Sequence, residues 1–166
     1  MTANAFEGRR IAATPAQLWA VLSDIEQAPA WNPAWEAIEF VSEQHEGQGT
    51  VFRARSEAGS SGEFEVVLWQ PGERIAFAPR PGGDDAGDFW ISVQQHTIFL
   101  RPAGEGLTDV TMEARARSHG LRGWVISKLI WPGYQRRGLA DVLKELARIF
   151  EPEEDEPQEE DKPESP

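Results

Sequence analysis

The spacing of apolar residues changes period twice along the chain. In "RRIAATPAQLWAVLSDIEQ", Leu18, Val21, Leu22 and Ile25 recur at helical spacing. Thr14 stands before Pro15, with Gln17 three residues on, so the helix is predicted to open with a capping box and a proline in its first turn. A second short helical turn is expected over residues 25–31. Asn32-Pro33 ends it, because the residue before a proline is pushed out of the α region. From Trp35 to Arg117 the pattern becomes short alternating runs. "AIEFVS", "GTVFRARS", "EFEVVLWQ", "RIAFAP", "FWISVQQHTIFL" and "LTDVTMEARAR" read as six strands, separated by turn-forming "HEGQG", "AGSSG", "PGE", "RPGGDDAGD" and "PAGEG". Connections this short predict an antiparallel meander, since parallel neighbours need crossovers of a dozen residues or more. A strand over about residues 6–13 brings the total to seven. The last segment, "HGLRGWVISKLIWPGYQRRGLADVLKELARIF", is helical, with Leu139, Val142, Leu143, Leu146 and Ile149 at core spacing. Pro132-Gly133 interrupts it. A proline inside a helix costs about 3 kcal/mol and a glycine about 1, so the helix is expected to kink or split there.

Period-2 alternation assigns side chains to faces. Phe52 and Ala54 oppose Val51, Arg53 and Arg55, and Phe64, Val66 and Leu68 oppose Glu63, Glu65, Val67 and Trp69. In the last strand Val110, Met112, Ala114 and Ala116 oppose Thr111, Glu113, Arg115 and Arg117. One sheet face is therefore apolar and the other charged, and the final helix is expected to cover the apolar one.

Composition narrows the function classes. The chain has 166 residues and a formal net charge of -12, but the charge is uneven. Residues 151–166 hold nine acids against Lys162 alone and so carry -8 of it. The expected organisation is one domain over residues 1–150 and a disordered acidic tail over 151–166, which serves as solvated padding or as an interaction arm. Zero cysteine excludes disulfides, thiolate chemistry and cysteine-bound zinc. His45, His96 and His119 are too widely spaced to suggest a metal site, and no glycine-rich phosphate loop appears, so no cofactor is expected. The acidic balance, with no basic cluster beyond Arg136-Arg137, argues against nucleic acid. No apolar run approaches the ~20 residues that span a bilayer, and "MTANAFEGRR" lacks a signal-peptide core, so a cytoplasmic location is expected.

This order of elements resembles the SRPBCC superfamily, the helix-grip domains that include START lipid carriers, pollen-allergen-like proteins and the polyketide cyclase/dehydrase and lipid-transport family. The resemblance covers about residues 5–150. It rests on "IAATPAQLWAVLSDIEQAPAWNP", "WQPGERIAF", "LRPAGEGLTDVTM" and "RRGLADVLKELA". The family's turn before the last strand usually reads Gly-Thr, whereas Leu107 here separates Gly106 from Thr108, which blurs the hairpin register. The resemblance implies an α+β helix-grip fold: a seven-stranded curved antiparallel sheet around a long C-terminal helix, with two short helices between strands 1 and 2. It also implies a cavity for apolar small molecules between sheet and helix.

Such a cavity would be lined by Phe52, Phe64, Val66, Phe77, Met112, Trp124 and Tyr134, with one of Trp31 and Trp35 near its rim and the other packing the corner. Each of these serves equally well as ordinary core. In the sixth strand, hydrophobicity alone turns Phe89, Ile91, Val93, Gln95, Thr97 and Phe99 inward. The resemblance instead favours Trp90, Ser92, Gln94, His96, Ile98 and Leu100, with Ser92, Gln94 and His96 as polar anchors. Tyr134 either gates the cavity mouth or packs at the surface, His119 leads into the last helix, and His45 is solvated. Three functions remain open. One is a binding or transport protein for a lipid, quinone or polyketide-like molecule. Another is a polyketide cyclase or dehydratase in which His96 moves protons with Tyr134 or Gln94. The third is a protein-interaction module with a filled core.

Overall fold

The computed structural model describes residues 2–80 and 91–151. Strand β1 (Thr2–Ile11) leads into helix α1 (Pro15–Ser23) and a 3-10 helix (Ile25–Ala30). There follow β2 (Ala37–Phe40), β3 (Val51–Arg55), β4 (Ser61–Gln70), β5 (Arg74–Pro79), β6 (Ile91–Gly104) and β7 (Leu107–Ser118), and then helices α2 (Gly120–Leu129) and α3 (Trp131–Arg148). The strands form one antiparallel sheet of seven in the order β1-β7-β6-β5-β4-β3-β2. The meander thus runs from β2 to β7 and closes when β7 pairs with β1. This is the helix-grip arrangement that the family resemblance implied.

Local chemistry sets the ends of the elements. The Thr14 hydroxyl accepts the Gln17 amide at 3.2 Å, and the Gln17 side chain accepts the Thr14 amide at 2.9 Å, closing the capping box. In the β6–β7 hairpin Gly104 faces Leu107 across a turn in which Gly106 holds a φ of 66°, which favours glycine. The register shifts between Pro102 and Gly104, so one bulged residue absorbs the extra Leu107 and keeps Thr108 in place. Thr108 is buried and donates to the Ala13 carbonyl at 2.7 Å, pinning β7 to the chain end of β1.

The C-terminal helix is split at Ile130, two residues before Pro132. Ile130 closes α2, and α3 restarts at Trp131 with Pro132 in its first turn, where a missing N–H leaves no bond unmade. Helix α3 lies along β1 and β7 and buries Trp131, Leu139, Val142, Leu143, Leu146 and Ala147. The inward faces of β3 and β7 follow the alternation, with Phe52, Ala54, Val110, Met112, Ala114 and Ala116 all buried.

Two bulges overturn the faces expected for parts of β4 and β6. Val66 pairs with Phe77 but Leu68 pairs with Ala76, so the extra residue Val67 reverses the parity beyond it. Trp69, opposite buried Ile75, then turns inward to meet Trp19 of α1 edge-on at 5.1 Å between ring centroids, whereas Leu68 turns outward. In β6 the register shifts between Val93 and Gln95. His96, Ile98 and Leu100 share the inward face as expected, opposite Ala114, Met112 and Val110. Before the bulge Val93 and Ile91 face inward, opposite Ala116 and Ser118, while Ser92 sits opposite Arg117 on the outer face.

Candidate functional site

At the β3–β5 end, the inward face is filled by the protein's own rings. Trp31 and Phe52 are fully buried and Phe77 nearly so, with Trp35 and Phe64 packed against them. Trp35 sits at the centre, with ring centroids 5.1 Å from Phe64, 5.5 Å from Phe52, 6.2 Å from Trp31 and 6.3 Å from Phe77. The Asn32-Pro33 corner makes this possible. The Asn32 side-chain oxygen accepts the Ala34 amide at 3.1 Å and its carbonyl accepts the Trp35 amide at 3.0 Å, folding the two tryptophans onto the same cluster. Trp31, Phe52, Phe64, Val66 and Phe77, expected along a cavity wall, thus form a packed end of the core. Met112 is likewise buried, on the inward face of β7.

Two polar groups lie within this interior. The Trp31 indole N–H is buried without a hydrogen-bond acceptor. His96 pairs with Phe77 across β5 and β6, is partly buried, and carries a pKa below the ordinary histidine value because burial disfavours its charged form. No carboxylate or hydroxyl among the described residues orients its ring. It is therefore a neutral imidazole at neutral pH without the positioning partner that a general base requires.

The remaining polar residues of β6 stand elsewhere. Gln94, at the bulge, is exposed and donates to the Ser92 hydroxyl at 3.0 Å and to the Ser92 carbonyl at 3.3 Å. Ser92 Oγ lies 3.3 Å from Nε2 of His119. His119 occupies the position before α2 but makes no side-chain cap. Ser92 and Gln94 are thus a surface cluster with His119, away from His96. Tyr134 is 75% exposed on the first turn of α3, in solvent rather than in the interior. Trp90 lies outside the described residues. His45 stacks on Phe40 at 4.0 Å.

An open space exists beside α2. Where β7 passes into α2, a pocket of about 460 Å³ is lined by Ser118, Gly120, Leu121 and Trp124. Leu121 and Trp124 give it an apolar lining, and Ser118 lies opposite Ile91 on the neighbouring strand. Of these four only Trp124 was expected from the sequence. The available signal was the pair Gly123 and Ser127, one turn apart, which marks the side of α2 that packs inward and so turns Leu121 and Trp124 away from it. Among the described residues no group of acids and histidines forms a metal site.

The model of the family described as polyketide cyclase / dehydrase and lipid transport matches residues 5–151. The chain belongs to this family. Among curated proteins, the family member is similar to an uncharacterized protein of Mycobacterium tuberculosis (strain ATCC 25618 / H37Rv), 33% identical over 67 residues. That match spans 40% of this chain and 40% of the relative's length. Among solved structures it is similar to norcoclaurine synthase from Thalictrum flavum in complex with dopamine and hydroxybenzaldehyde, at TM-score 0.68 and 16% identity, covering 90% of this chain and 86% of that one. An uncharacterized protein from Bacillus thuringiensis matches at TM-score 0.67 and 14% identity, covering 89% and 98%. These likenesses establish a common fold. No described helix of this polyketide cyclase / dehydrase and lipid transport family member is long and apolar enough to cross a membrane.

Proposed function

We propose that this protein binds or carries a small apolar or aromatic molecule, a lipid, quinone or polyketide-like compound, in the pocket between the end of β7 and α2. The pocket itself carries this reading: about 460 Å³ walled by Leu121 and Trp124, within the range of roughly 300–1,000 Å³ usual for small-molecule sites. The family's lipid-transport description supports it, and so does a protein of the same fold holding dopamine and hydroxybenzaldehyde. The reading places the ligand beside α2 and not among the packed rings of β3–β5.

The cyclase or dehydratase alternative draws less support. Among the described residues His96 has no orienting partner, and it lies five positions along β6 from Ile91, the cross-strand neighbour of pocket-lining Ser118. At about 3.3 Å per residue that is about 16 Å, far beyond hydrogen-bond reach of a group in the pocket.

Calorimetric titration with oleate and with decylubiquinone tests the reading. Removing the indole in Trp124→Ala takes roughly 60 Å² of apolar contact from the ligand, and at about 25 cal/mol per Å² this weakens binding roughly tenfold. His96→Ala leaves the affinity unchanged. If neither probe binds, or if His96→Ala rather than Trp124→Ala abolishes binding, the pocket assignment fails.

A further inference from the structure

We infer that α2 and the first turn of α3 form a docking face for the surface of an anionic lipid bilayer. The orientation of α2 is the starting observation. Its inward side carries Gly123, Ser127 and the partly buried Ile126, whereas Leu121, Trp124, Val125 and Leu129 are exposed. Leu121, Trp124, Val125 and Leu129 recur three and four residues apart, so they form one stripe, which Ile130 and Tyr134 extend across the break into α3. Leu121 and Leu129 are each 77% exposed and Ile130 is 63% exposed.

Charge selects the occupant. From Ser118 to Ala140 there is no aspartate or glutamate, whereas Arg122, Lys128, Arg136 and Arg137 all fall within that span. Cations beside an apolar stripe with a tryptophan in it are the composition of helices that lie in the headgroup region of acidic membranes. A second copy of the chain would bring the same cations face to face, so self-association on this surface is opposed. An acidic bilayer complements both features at once. The helix lies on the membrane and does not cross it: α2 has ten residues, about half of what a span requires. The pocket opens between Leu121 and Trp124 in the same face, but docking does not depend on any ligand being bound.

The full chain, sedimented with phosphatidylcholine vesicles containing about 30% phosphatidylglycerol and with pure phosphatidylcholine vesicles, tests the inference. The partition coefficient is expected to be at least roughly tenfold larger on the anionic vesicles and to fall by a similar factor when salt is raised to about 0.5 M. The double variant Leu129→Asp with Ile130→Asp, outside the pocket, should lose the binding with an unchanged melting temperature and an unchanged affinity for decylubiquinone. Arg136→Glu with Arg137→Glu should lose the preference for anionic vesicles. Failure of decylubiquinone to bind the wild type would sink the pocket reading and leave this one standing. Wild-type binding that ignores lipid charge, a Leu129→Asp, Ile130→Asp protein that still binds, or a solution dimer dissolved by those same changes would overturn it.

Discussion

Helices α2 and α3 follow one another with a single residue between them, yet they use their apolar residues in opposite ways. In α3, Leu139, Val142, Leu143 and Leu146 turn toward β1 and β7 and the polar residues face water. In α2 the buried positions are Gly123 and Ser127, and Leu121, Trp124, Val125 and Leu129 stand outside. Helix α3 is therefore held by apolar burial against the sheet. Small residues let α2 sit close to its neighbours with Ile126 packed beside them, which leaves Leu121, Trp124, Val125 and Leu129 exposed. One half of the C-terminal segment works as structure and the other as surface.

Substitutions along the two helices separate these roles. The largest effect is expected at Leu143, which is fully buried: Leu143→Ala should cost about 2–5 kcal/mol in denaturant unfolding. Thr14→Ala, which breaks the capping box of α1, should cost about 1 kcal/mol by the same measurement and so calibrates a local defect against a core one. His96 supplies a pH-dependent difference. Its pKa is lowered by burial in the folded protein, so its contribution to stability is fully present above the ordinary histidine value of about 6.5 and is lost as pH falls below it. The melting temperature of the wild type should therefore drop more between about pH 7 and pH 5 than that of His96→Gln. The smallest effect belongs to α2: Leu129→Ala should change stability by less than about 0.5 kcal/mol, although it removes as many carbons as Leu143→Ala. A loss at Leu129 comparable with that at Leu143 would show that the two helices do not differ in the way described.

Much of the fold was legible because its determinants are local. Thr14 and Gln17 mark the start of α1, the Asn32-Pro33 corner ends the 3-10 segment, and the alternation of β3 and β7 names the inward residues correctly. The face of β4 beyond Val66 and of β6 before Gln95 was not legible. A bulge adds one residue without needing glycine or proline, so neither Val67 nor Gln94 announces one, and each shifts every later side chain to the other side. Hydrophobicity alone turned Ile91 and Val93 inward, as observed, while the family resemblance favoured Ser92 and Gln94 as polar anchors, and the structure puts these two on the surface beside His119. The candidate site was read least well. Trp31, Phe52 and Phe77 are equally good in the sequence as lining or as filling, and only the structure shows that they are buried with their rings packed on one another. Trp124 was expected along a cavity between sheet and helix and lies instead beside a pocket at the junction of β7 and α2, which Leu121 and Ser118 join only through the way α2 leaves β7.

Native mass spectrometry of the freshly purified full chain, followed by organic extraction and by incubation with oleate or decylubiquinone, tests the central claim most directly. The account predicts a one-to-one non-covalent adduct that Leu121→Glu with Trp124→Ala removes while leaving the fold intact. A bare protein mass under every condition, with nothing extractable, would contradict it.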